Sequence, residues 1–239
     1  MKVLVINGSP KGEHSSTMVL TRIFLNGTGW SNAEIISVAN SNISGCTGCF
    51  GCWGKTPGKC VLHDDMNAIL SKLIAADIVI WSFPLYYYSV PGALKNLIDR
   101  QLPLALPEMS EGTESGDHPS RYDLSHQKHI LISTCGFWTA KGNYDSVTAM
   151  FNHIFGAEGY TSIFCGQGGL FQIKGTEKIP GVDELKKCVD DYFVLIQRAG
   201  EEFANSGVIN SETRSALAKP PLSQEVYEGM TNAQVEKLP

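Results

Sequence analysis

The stretch Val3-Leu4-Val5-Ile6-Asn7-Gly8-Ser9-Pro10-Lys11-Gly12-Glu13-His14-Ser15-Ser16-Thr17 decides how the rest of the chain is read. Four apolar residues in a row suit a strand buried on both faces, and the pattern after Ser15 predicts a helix over 16–25. A strand that ends in a small, hydroxyl-rich loop and opens a helix is a place to hold phosphate. The helix N-terminus leaves N–H groups unpaired and carries partial positive charge, and glycines let the backbone approach an anion. Ser9, Ser15, Ser16 and Thr17 add hydroxyl donors, and Lys11 adds charge. The loop matches neither the three-glycine dinucleotide fingerprint nor the nucleotide loop ending in Gly-Lys-Ser/Thr, which points to a mononucleotide phosphate. The plainer alternative is that Ser16 only caps the helix.

Working outward, strands are expected at 34–38, 78–83, 128–134 and 161–165. Apolar positions Met66, Ile69, Leu70, Leu73 and Ile74 predict an amphipathic helix over 66–76, entered through Asp64 and Asp65 as cap and first turn. Further helices are expected at 92–102, 144–155 and 182–203. Strand and helix alternate from end to end, the signature of a parallel, doubly wound α/β sheet, and five strands fit the flavodoxin-like order. The expected architecture is a flavodoxin-like three-layer sandwich over 1–205. Residues 103–125, polar and broken by Pro and Gly, are read as a mobile flap or lid. Residues 206–239 form a weakly patterned tail that drapes over its own subunit or a neighbour.

Composition narrows the partners. With 239 residues, 43% hydrophobic and 18% charged, one sizeable domain is expected. No apolar run reaches the length of a membrane span, and the N-terminus lacks a signal-peptide pattern. A net charge of −5 gives no electrostatic footprint for nucleic acid. Seven cysteines, four of them between Cys46 and Cys60, fit a reducing cytoplasm better than a secreted disulfide framework.

Ligands in open α/β sheets sit beyond the carboxyl ends of the strands, where two more loops should join the first. Pro84-Leu85-Tyr86-Tyr87-Tyr88-Ser89-Val90-Pro91 is stiffened by two prolines and carries three flat, amphipathic rings. Ser133-Thr134-Cys135-Gly136-Phe137-Trp138 repeats hydroxyl, glycine and aromatic in series. A phosphate cradle at one end and an aromatic surface at the other is what FMN requires, although alone the tyrosines read equally well as a surface cluster.

Gly8-Ser9-Pro10-Lys11 with Ser16-Thr17, then Pro84-Leu85-Tyr86-Tyr87 leading to Pro91-Gly92-Ala93-Leu94-Lys95-Asn96-Leu97-Ile98-Asp99-Arg100, resembles the NAD(P)H-dependent FMN reductases of the flavodoxin-like superfamily. The resemblance implies noncovalent FMN, with Ser9, Lys11, Ser16 and Thr17 around the phosphate. It implies main-chain contacts to the ring from Pro84, Leu85, Tyr86 and Tyr87, and further contacts from Thr134, Cys135, Gly136 and Phe137. It also implies NAD(P)H as co-substrate, a small electron acceptor such as a quinone, and a homodimer or homotetramer with flavin near the subunit interface. Lys11 and Ser16 stand where many relatives carry Arg and Asn, and both keep a donor.

Cys46-x2-Cys49-x2-Cys52-x7-Cys60 is the second specific pattern. Two-residue spacing lets successive thiolates curl around one centre while nearby amides point at sulfur, as in ferredoxin segments, and a compact run favours a cluster over zinc. It resembles the iron-sulfur flavoproteins of the same superfamily, in which a [4Fe-4S] cluster passes electrons to FMN. A metal-free packed loop is the alternative for these four residues. Cys135, Cys165 and Cys188 read as packing residues. Two functions follow as alternatives to an FMN-dependent NAD(P)H oxidoreductase: an iron-sulfur flavoprotein, and a nonenzymatic FMN electron carrier. No side chain is assigned as a catalytic acid or base.

Overall fold

The computed structural model describes residues 1–111, 116–172 and 182–235. Its centre is a parallel five-stranded sheet of β1 (Val3–Asn7), β2 (Glu34–Ser37), β3 (Ile78–Pro84), β4 (Lys128–Thr134) and β5 (Tyr160–Cys165). The spatial order is β2-β1-β3-β4-β5, the flavodoxin-like arrangement expected above, with its topological switch between β1 and β3. The in-register partners Asn7–Ser82 and Pro84–Thr134 bring the ends of β1, β3 and β4 to one edge.

Strict alternation along the strands divides the core in two. Val3, Val5, Ile78, Ile80, Ile130 and Ile132 face one side, where α1 (Ser16–Thr28) and α5 (Val182–Ser206) cover them. Leu4, Ile6, Val79, Trp81, Phe83 and Leu131 face the other, beneath α2 (Met66–Ala75), α3 (Gly92–Asp99) and α4 (Asp145–Phe155). With both faces covered, near-continuous apolar strands are what burial demands. The α1–α5 crossing is close: a Cβ on Gly200 would sit 2.2 Å from the Phe24 carbonyl oxygen, so only glycine fits there.

The segment read as a weakly patterned tail contains α6 (Ser211–Leu217) and α7 (Gln224–Val235). Ile209, Leu217 and Tyr227 complete the core on the α1–α5 side, so the tail drapes over its own subunit. Its apolar positions are too sparse to signal helices by period alone. The Asp64–Asp65 pair meets the expectation only at Asp64. Asp65 makes no side-chain cap bond; its carboxylate accepts from Asn42 N at 2.7 Å, and Asp64 accepts from Met66 N at 3.1 Å.

The described parts of the segment read as a flap or lid, 103–111 and 116–125, are bonded to each other and to the cysteine loop. Leu106 N donates to Pro119 O, Ala105 bridges Ser120, and Arg121 Nε donates to Pro103 O. Trp53 Nε1 donates to Ala105 O at 3.1 Å, and its ring packs on His118, which fastens the segment to the cysteine loop. The bulky Trp53 in the last cysteine spacer therefore has a partner that sequence periodicity does not reveal.

Candidate functional site

The phosphate-loop expectation can be tested donor by donor. Ser15, not Ser16, is the N-cap of α1: its Oγ accepts from Met18 N at 3.1 Å. That leaves the N–H groups of Ser16 and Thr17 without backbone acceptors among the described residues. Both open the helix, as an anion site requires. Ser9 is buried at 2% exposure, and its Oγ accepts from Lys11 N at 3.3 Å while keeping its own proton. Asn7 Oδ1 accepts from Ser9 N, but Asn7 Nδ2 is buried with no partner. A buried amide donor left open beside this loop is a cost that a bound acceptor would relieve. Lys11 is exposed at the rim. Gly8 lies so close to Leu94 of α3 that a Cβ would meet its side chain at 2.5 Å, which locks this loop to the start of the helix after the tyrosine loop.

The tyrosine loop is a tight turn. Tyr86 N donates to Ser89 O and Ser89 N to Tyr86 O, with Tyr87 and Tyr88 both left-handed at φ 48° and 63°. These are the dihedral signs of a type I′ turn, normally reserved for Gly or Asn. Non-glycine residues there carry strain of about 1–3 kcal/mol each, a feature that clusters at functional sites. Leu85 N donates to Thr134 O at 2.8 Å. Of the main-chain donors expected from Pro84 to Tyr87, those of Leu85 and Tyr86 are thus consumed within the fold, and Tyr87 N–H has no partner among the described residues. Tyr87 is 98% exposed, while Tyr88 stacks on Phe137 with ring centres 5.5 Å apart.

The third loop is held from behind by its carbonyls. Cys135 O accepts from Gly168 N, Phe137 O from Gln167 N, and Gly136 O from the Tyr227 hydroxyl at 2.8 Å. Gly136 keeps its own N–H free of backbone acceptors among the described residues, whereas that of Phe137 is turned toward the Cys135 sulfur. Cys135 is 3% exposed, and burial pushes its thiol pKa up; Cys165 is buried as well and Cys188 partly so. Gln167, fully buried at φ 56°, donates to Trp138 O and Leu222 O and accepts from Leu222 N. Sequence reading missed Gln167 because a lone glutamine after β5 carries no pattern; its partners lie 29 and 55 residues away. Thr17 Oγ1 and Thr134 Oγ1 meet at 2.6 Å, joining the first loop to the third.

The four cysteines line one small, apolar pocket, together with Phe50, Leu62, Arg100, Leu102 and Pro103. All four are free thiols. No group of three or more His, Cys, Asp or Glu among the described residues is placed to hold a metal ion. Gly48 and Phe50 are left-handed, at φ 65° and 52°, the backbone conformation from which anion-binding nests are built. The Gly51 N–H and the Thr47 hydroxyl at Cys49 lower its thiol pKa, whereas burial raises that of Cys52. Cys60 is gripped through its backbone: its N–H donates to Asn67 Oδ1 at 2.8 Å and its O accepts from Asn67 Nδ2 at 2.9 Å. α3 connects the two regions. Its N-terminus follows the tyrosine loop and its last residue, Asp99, lines the cysteine cavity, about 12 Å of helix for eight residues.

A parallel sheet in this order, with a hydroxyl-rich loop after β1 and an aromatic loop after β3, invites comparison with known flavin proteins. Residues 1–114 match the NADPH-dependent FMN reductase family. The matched part ends before β4 and so contains the first two loops and all four clustered cysteines. Among curated proteins, an iron-sulfur flavoprotein of Methanocaldococcus jannaschii is 40% identical over 108 residues, 44% of this chain and 54% of that protein. An iron-sulfur flavoprotein of Archaeoglobus fulgidus is 34% identical over 105 residues, 43% of this chain and 46% of that protein. The chain thus spans about half the length of the curated relatives it matches. Among solved structures, an FMN-dependent NADH-azoreductase from Bacillus anthracis in complex with FMN aligns with a TM-score of 0.56 at 20% identity, covering 85% of this chain and 99% of that one. An NAD(P)H:quinone oxidoreductase from Methanothermobacter marburgensis aligns at 0.57 and 14% identity, covering 85% and 96%. At these identities the structural likeness establishes the flavodoxin-like fold shared with FMN reductases.

Proposed function

We propose that this protein is an FMN-dependent oxidoreductase that takes hydride from NAD(P)H and passes electrons to a small acceptor such as a quinone. The observation that carries the reading is the set of unused donors around the β1–β3 switch point: Ser16 N, Thr17 N and the buried Asn7 Nδ2 on the first loop, and Gly136 N on the third. Bound FMN supplies the hydride and electron chemistry, and the protein's part is to hold and tune it. Ser9, Lys11, Ser16 and Thr17 hold the phosphate. Tyr87 N–H and the loop from Thr134 to Phe137 would supply main-chain contacts to the flavin ring, and buried Leu85 and Cys135 would help exclude water from it. The carbonyls of Pro84, Leu85 and Tyr86 line the turn without donating. Exposed Tyr86 and Tyr87 stand where a flat acceptor or nicotinamide would stack. As in the resemblance, the working state is a homodimer or homotetramer in the cytoplasm, with these exposed rings toward the subunit interface; no helix among the described residues is long and apolar enough to cross a membrane.

A second reading has its own support. Four thiols around one cavity, with a nest-like backbone at Gly48 and Phe50, fit Cys46, Cys49, Cys52 and Cys60 as ligands of a [4Fe-4S] cluster that exchanges electrons with FMN. The identity to proteins named iron-sulfur flavoproteins favours it over a metal-free packed loop. A nonenzymatic FMN carrier finds no comparable support. The experiment for both is FMN, iron and sulfide analysis of anaerobically purified protein, followed by an NAD(P)H-dependent quinone reduction assay. One FMN with turnover supports the oxidoreductase, about four irons per chain support the cluster, and protein that takes up neither cofactor on reconstitution contradicts both.

A further inference from the structure

The wall of the cysteine cavity contains a buried cation whose hydrogen bonding is incomplete. Arg100, the C-cap of α3, has a side chain only 1% exposed. Its Nη1 donates to Asp64 Oδ2 at 2.8 Å and to Ser44 O at 2.7 Å, and its Nη2 donates to Asp64 Oδ1 at 2.9 Å. The paired contact with Asp64 fixes the guanidinium plane. Nε is then locked in place, and it is buried with no hydrogen-bond partner. A buried donor left unmade is a cost to the fold, and nothing in the Asp64 pair requires an N–H at that position.

The pocket that Arg100 lines is rich in sulfur. Arg100 lines the cavity with Cys46, Cys49, Cys52 and Cys60. Burial works against its charge, yet the hydrogen-bonded Asp64 carboxylate and the nearby Cys60 raise its pKa above the ordinary arginine value. Both ends of the cysteine segment are tied to this one unit. Ser44, two residues before Cys46, donates its N–H to Asp64 and its carbonyl accepts from Arg100, and Asn67 of α2 clamps the backbone of Cys60.

We propose that Arg100 is a positioning residue of the four-cysteine site, holding Nε–H for the Cys60 sulfur and thereby raising the reduction potential of a [4Fe-4S] cluster bound there. This rests on the cluster reading above. A one-electron reduction adds negative charge to the cluster and its sulfurs, so a fixed donor stabilises the reduced form more than the oxidised one. No proton is transferred. Asp64 cancels the net charge of the guanidinium, which makes the directed N–H, rather than a bare cation, the source of the effect.

The test is a potentiometric titration, followed by electron paramagnetic resonance, of the full chain purified anaerobically and reconstituted with iron, sulfide and FMN. Arg100→Lys keeps a cation opposite Asp64 but removes the Nε–H. Arg100→Gln combined with Asp64→Asn removes both buried charges together and supplies the reading should the lysine variant fail to fold. The expected result is full iron occupancy with the cluster midpoint shifted negative by about 59 mV, a tenfold change in the one-electron equilibrium, and an unchanged flavin midpoint. Iron-loaded variants with the wild-type midpoint overturn the role of Arg100 and leave the cluster standing. Wild-type protein that incorporates no iron overturns the cluster reading and this proposal with it.

Discussion

Thr17 Oγ1 and Thr134 Oγ1 share one hydrogen bond of 2.6 Å, both side chains buried, and this contact joins the first turn of α1 to the end of β4. Two hydroxyls that share one bond use one proton and leave the other to donate elsewhere. The pair therefore fixes the spacing of two loops and still offers a donor to what lies between them. Thr17→Val keeps the shape and removes the hydroxyl. It is expected to weaken FMN binding roughly tenfold, about 1.4 kcal/mol, in a fluorescence titration of apoprotein, with little change in the far-ultraviolet circular dichroism.

Asp64 and Arg100 make a pH prediction with a definite sign. The hydrogen bond from Arg100 is the main cause that holds the Asp64 carboxyl below the ordinary aspartate value. A depressed folded-state pKa contributes stability that is present above the unfolded aspartate value and lost as pH falls through the folded one. Urea midpoints should therefore fall on acidification below about pH 4, more steeply in the wild type than in Asp64→Asn. At neutral pH that variant leaves a buried guanidinium without its carboxylate, at a cost of about 3–5 kcal/mol. A neutral-pH midpoint equal to wild type contradicts the buried pair.

Gln167 fastens the third loop to the chain end, with its side chain on Trp138 O and on both backbone groups of Leu222. Gln167→Ala leaves those groups short of partners and should cost about 2–3 kcal/mol. It should also speed FMN release, since Phe137 and Gly136 lose part of their backing. Dissociation measured by stopped-flow dilution into an FMN scavenger checks this, and the tail helices should become the first segment to exchange amide hydrogens.

Close helix packing gives a stability prediction remote from the cofactor loops. Gly200→Ala places a Cβ 2.2 Å from Phe24 O, a backbone atom that cannot move aside. The expected loss is about 3 kcal/mol in urea unfolding, with FMN affinity retained in the folded fraction.

Much of this organisation was legible in the chain because it rests on local pattern. Val3 to Ile6 announce a doubly covered strand, Met66 to Ile74 an amphipathic helix, and the Gly-Ser-Pro turn a cradle at a helix start. The long-range partners were not legible. Asp64 looks like a helix cap until Arg100, 36 residues on, is seen to grip it. Trp53 looks like bulk in a cysteine spacer until the carbonyl of Ala105 meets its indole. The tyrosine loop carries rings for a flavin in its sequence, but only the backbone shows that two of its amides are spent in the turn. The helices α6 and α7 escaped because a few buried residues, Leu217 and Tyr227 among them, anchor segments that are otherwise polar.

The most direct test of the central claim is an anaerobic visible spectrum of the FMN-loaded full chain before and after addition of NAD(P)H. Oxidised-flavin absorbance is expected to bleach promptly and to return when a quinone is added. A chain that binds FMN but keeps its oxidised spectrum under excess NADH and NADPH, while still being reduced by dithionite, contradicts the claim.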